Sequence, residues 1–109
     1  MSFPFTAHAL GVALLLAGIA GSASAQAQPD RAARLWAASC AACHGTDGRG
    51  SGAIPPLAGR EAETLLNALL EFKGGKRPQA TVMHQHAKGY SDEQLKRLAA
   101  FFAALPAQP

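Results

Sequence analysis

The stretch Cys40-Ala41-Ala42-Cys43-His44 decides how this 109-residue chain is read. Two thiols three residues apart on one helical turn can each add to a vinyl group of a porphyrin, while the adjoining imidazole swings under the ring. C-x-x-C-H is therefore the pattern of covalent haem attachment. It makes Cys40 and Cys43 candidate thioether residues and His44 the candidate proximal iron ligand. Paired cysteines also serve as a redox dithiol or as half of a zinc site. A dithiol of the thioredoxin kind belongs in a βαβ setting, and no strand-rich stretch surrounds this pair. A structural zinc site wants four Cys or His ligands, and the only histidines besides His44 are His8, His84 and His86.

On the N-terminal side, Asp30 suits a helix N-cap, and Ala32, Ala33, Leu35, Trp36 and Ala37 carry a first helix toward the cysteines. Trp36 lies four residues before Cys40, shares its face and reads as core packing. Further upstream, residues 7–20 are almost wholly apolar, too short a run to span a bilayer, and lead into Ala23-Ser24-Ala25. Residues 1–25 are thus expected to be a secretory signal peptide cleaved after Ala25, which sends residues 26–109 to the periplasm with no membrane attachment. The segment before the apolar run has no Lys or Arg, and an uncleaved anchor is the alternative.

The remaining domain is small for its core, and domains of this size are seldom stable without a staple. A covalent haem is such a staple. A disulfide between Cys40 and Cys43 would close too short a loop to constrain much. Every charged side chain lies from Asp30 onward, so the net charge of +3 belongs to the exported domain. That is mildly basic, compatible with an acidic protein partner and far from the Lys/Arg density of a nucleic-acid binder.

Beyond the motif, residues 45–52 are turn-rich, and Ile54-Pro55-Pro56-Leu57-Ala58-Gly59 cannot be helical across its two prolines. A carbonyl of Pro55 or Pro56 is the expected acceptor for the second N–H of His44. A second helix is predicted from about residue 61 to 73, with Leu65, Leu66, Leu69 and Phe72 at helical spacing and Gly74-Gly75 ending it. Residues 76–90 lack periodicity and read as a loop. A third helix starts at Ser91, where Gln94 completes a capping box, and Leu95, Leu98, Ala99 and Phe102 form its apolar stripe. The expected fold is all-α, with three main helices and loops around the haem, the first and last helices packing through Trp36 and Leu98/Phe101/Phe102.

If His44 holds one side of the iron, the loop decides the other. Met83, the only methionine apart from Met1, is the candidate distal ligand, with His84 and His86 as rivals. Met ligation raises the reduction potential, whereas a second histidine lowers it.

Cys40-Ala41-Ala42-Cys43-His44-Gly45, the Ile54–Gly59 segment and residues 83–92 together resemble a class I c-type cytochrome. The resemblance covers about residues 30–105. It implies the small class I fold, one haem c, His44 as proximal and Met83 as distal ligand, a supporting proline carbonyl near Pro56, and a helix crossing at Ala32, Trp36 and Phe101/Phe102. More narrowly, Gly75-Lys76-Arg77-Pro78 and residues 83–91 are similar to the cytochrome subunit of flavocytochrome c sulfide dehydrogenases, of the single-haem kind. That likeness implies a subunit with no catalytic chemistry of its own, which takes electrons from a sulfide-oxidising flavoprotein. The alternative is a free monohaem carrier between respiratory complexes. A haem enzyme or sensor would need an open sixth position, and a dithiol oxidoreductase would bind no haem.

Overall fold

Four α-helices and a 3₁₀ turn make up residues 29–109, the part of the chain that the computed structural model describes. The expected signal peptide, residues 1–25, lies outside the described residues. Helix α1 spans Arg31–His44, α2 Ala62–Lys73, α3 Met83–Lys88 and α4 Asp92–Ala103, with the 3₁₀ turn at Thr46–Gly48. Among the described residues no strand forms; one isolated bridge joins Ser51 and Ile54.

Each long helix begins or ends on a local signal. The Asp30 carboxylate accepts the Ala33 N–H at 2.9 Å and so caps α1. Gly74 and Gly75 close α2 by a Schellman motif: Gly75, at φ +71°, bonds back to the Phe72 carbonyl, and Lys76 N–H to that of Glu71. On α4 the capping box is complete, Ser91 Oγ accepting from Gln94 N–H and Gln94 Oε1 from Ser91 N–H.

The apolar stripe of α4 is the centre of the core. Leu95, Leu98, Ala99 and Phe102 are buried, and they pack with Ala37 of α1 and Leu65 of α2. The crossing of α1 and α4 is built on small residues, since Ala33 and Ala37 are the buried apolar positions of α1 and Ala32 and Trp36 flank them half-buried. Small side chains at the contact let the two axes approach closely. Trp36 is held at the edge, with the Arg97 guanidinium 4.8 Å above its ring. Among the described residues, five of the nine buried apolar ones are alanines. So small a core releases little burial energy, as expected of a domain that relies on a staple.

One element differs from the sequence expectation. Where residues 76–90 read as a loop, Met83–Lys88 form a six-residue helix. It has no side-chain cap and buries one residue, Ala87, against its neighbours, so it leaves no periodic apolar pattern to be read.

Candidate haem site

The segment after α1 is folded to aim His44. Gly45 leaves the helix at φ +82°, and a Cβ there would strike the Gly50 carbonyl, so glycine is required. Loop 45–58 then closes on itself. Gly50 N–H donates to the His44 carbonyl at 2.6 Å, and the N–H groups of Leu57 and Ala58 both donate to Gly48 at 2.7 and 2.9 Å. This closure carries Pro55 to the imidazole, where His44 Nδ1 donates to the Pro55 carbonyl at 2.7 Å. Of the two expected prolines, the acceptor is Pro55. A carbonyl can only accept, so Nδ1 holds the proton and Nε2 keeps its lone pair, the tautomer that metal ligation needs.

His44 is buried, with 7% of its surface exposed. Among the described residues, no side-chain nitrogen or oxygen shut off from solvent lacks a partner, so the unbonded Nε2 opens onto accessible space. Cys40 and Cys43, on the same turn, are free thiols, the first half-buried and the second exposed. Burial pushes the Cys40 thiol above its ordinary pKa. A reactive dithiol needs the opposite shift, so the dithiol reading has no support in the environment of Cys40. Among the described residues no three His, Cys, Asp or Glu side chains gather as a metal site, which leaves the zinc reading without a ligand set.

Met83 is the first residue of α3 and is half-buried; His84 is half-buried and His86 exposed. Helix α3 packs on α2, and it makes no extended contact with α1. Ile54 and Val82, next in sequence to Pro55 and Met83, are large apolar side chains left exposed, 52% in the case of Val82. Two free thiols on one turn beside an imidazole with Nε2 available are what covalent haem c attachment through Cys40, Cys43 and His44 requires. The residues fit the group. A surface cleft at the α1–α4 crossing is lined by Ala38, Ala41, Ala100 and Phe101 and includes none of Cys40, Cys43, His44, Pro55 or Met83.

The cations of residues 76–90 divide into two kinds. Arg77 pairs with Glu71 at 2.6 Å and lies 4.9 Å over the Phe72 ring, whereas Lys76 and Lys88 are exposed with no ion-pair partner among the described residues. Sequence reasoning missed Ser39 and Tyr90, whose hydroxyls meet at 3.0 Å. They are 51 residues apart, and neither carries a sequence signal of the other.

A family model for cytochrome c matches residues 29–106. The chain is 48% identical over 67 residues to the cytochrome subunit of sulfide dehydrogenase from Chlorobaculum tepidum, covering 62% of this chain and 60% of that protein. It is 35% identical over 81 residues to cytochrome c-554(547) of Halothiobacillus neapolitanus, with 65% of this chain and 89% of that protein covered. Against cytochrome c4 of Azotobacter vinelandii it is 36% identical over 105 residues, 88% of this chain and 50% of the relative. The chain thus spans 60% of the first relative and half of the third.

Proposed function

Because the chain belongs to the cytochrome c family and is a monohaem electron carrier, we propose that Cys40 and Cys43 hold its haem c, that His44 and Met83 are the axial ligands, and that it accepts electrons from a sulfide-oxidising flavoprotein. The observation that carries the assignment of His44 is the 2.7 Å bond from its Nδ1 to Pro55, which leaves Nε2 for iron. The 48% identity to a sulfide dehydrogenase cytochrome subunit supports the partner.

When bound, the haem supplies reversible one-electron exchange. The chain's residues set its terms. The Pro55 carbonyl holds the imidazole in one tautomer and makes it a better donor. Met83 offers a weak thioether donor, which favours the ferrous state and so raises the potential. Lys76 and Lys88 present charge that an acidic partner rim would meet, and such contacts mostly tune association rate.

The same reading takes residues 1–25 as a cleaved signal and the periplasm as the workplace. Among the described residues, no helix is long and apolar enough to cross a membrane. A free carrier is the second reading, favoured by the match to 89% of the length of cytochrome c-554(547).

One preparation tests these assignments together. The protein purified from the periplasm of its source cells should have the mass of residues 26–109 plus one haem. Its ferric spectrum should show the weak charge-transfer band of a Met ligand toward the red, which Met83→Ala abolishes while lowering the potential. Sulfide should reduce it only with the flavoprotein present, more slowly as salt screens the contact. A band that survives Met83→Ala and is lost in His84→Ala or His86→Ala would overturn the ligand. Turnover with respiratory partners and no bound flavoprotein would establish the free carrier.

A further inference from the structure

A six-residue helix without a cap does not hold its own place. The approach to α3 is weakly tied, since the last backbone bond before it is Ala80 N–H to the Arg77 carbonyl, and Thr81 and Val82 are exposed. Its far end, in contrast, is tied through Tyr90 to two helices. The Tyr90 carbonyl accepts from Lys73 Nζ of α2 at 2.8 Å, and the same ammonium pairs with Asp92 at 2.7 Å. The Tyr90 ring sits 6.2 Å from Trp36 of α1, tilted by 55°.

The third tie reaches the cysteine motif. Ser39, the residue before Cys40, meets the Tyr90 hydroxyl at 3.0 Å and also gives its proton to the Trp36 carbonyl at 2.8 Å. Serine has one proton to donate, so Tyr90 is the donor and Ser39 the acceptor. Among the described residues this is the one side-chain hydrogen bond from α1 to residues 76–90.

We propose that the Ser39–Tyr90 bond is a positioning clamp between the cysteine-bearing helix and Met83, and that it sets how firmly Met83 stays on the iron. This rests on the ligand assignment above. The bond is exposed, so water replaces it readily and its loss costs the fold little. The distal ligand is more sensitive, because α3 has no extended contact with α1 to keep their separation once the bond is gone.

Imidazole added to the ferric holoprotein competes with Met83 and reads that firmness directly. Tyr90→Phe should raise the apparent imidazole affinity about twofold, the low end of the factor that corresponds to one net hydrogen bond. Ser39→Ala should do the same, the double variant should match either single one, and Ser39→Thr, which keeps the hydroxyl, should restore wild-type behaviour. The melting midpoint of Tyr90→Phe should stay within a few degrees of wild type. Unchanged imidazole affinity in both single variants, or effects that simply add, would overturn the clamp while the Met83 assignment stands. A wild-type protein without the red band would overturn the assignment, and the clamp with it.

Discussion

Gly48 shows how much one residue can control. At φ +69° it occupies a conformation that side chains resist, and a Cβ there would lie 2.7 Å from the Phe102 ring. That ring is buried in the core and cannot yield. The Gly48 carbonyl also receives both N–H groups that bring Pro55 beneath His44. Gly48→Ala should therefore destabilise the fold by about 1–3 kcal/mol. Thermal unfolding of the holoprotein checks this, and an unchanged midpoint would show that loop 45–58 relaxes around the new methyl. Pro55 makes the complementary point: two adjacent prolines are equivalent in sequence, and loop closure alone selects which carbonyl faces the imidazole.

At the level of elements, helices with strong local signals and the one without them contrast. Helix α4 has a capping box, acids in its first turn and a full apolar stripe, so its start and its buried face follow from composition. Ser91→Ala removes one side of that box and should cost about 1 kcal/mol. For a domain of this size that is a fall of roughly 4–8 °C in melting midpoint, and Ser91→Asp should retain most of the stability. A loss in the alanine variant of well under 1 °C would mean that packing alone, and not the cap, holds the α3–α4 corner. Helix α3 has no comparable signal; it packs on α2, and Tyr90 just beyond it bonds to Ser39 of α1 and Lys73 of α2.

Across the whole molecule, Asp30 and Arg97 tie the beginning of the described chain to its last helix. Two bonds of 2.7 and 2.6 Å join them, and the guanidinium holds the Asp30 carboxyl down to a pKa of about 2. An unfolded aspartate titrates near 3.9, so the folded state binds fewer protons between these values. The contribution is present above about pH 4 and is lost as pH falls toward about 2. Asp30→Asn keeps an N-cap acceptor and removes the charge. Denaturant midpoints of wild type and variant should therefore differ most near neutral pH and converge on acidification. A gap that persisted unchanged down to pH 2 would show that the pair is not the source.

Much of this protein was legible before any coordinates. Cysteine spacing, helix-capping residues and apolar periodicity are local, and each acts within a few residues of chain; from them follow the haem motif, three of the four helices, their ends and the buried face of α4. What only the tertiary structure decided are contacts between segments further apart in sequence: Pro55 over Pro56, the Ala33/Ala37 crossing, and the meeting of Ser39 with Tyr90 that anchors α3. The physical reason is that a hydroxyl or a carbonyl carries no record of its partner. Two such groups meet because the packing of α4 against α1 and α2 has already settled where both of them stand.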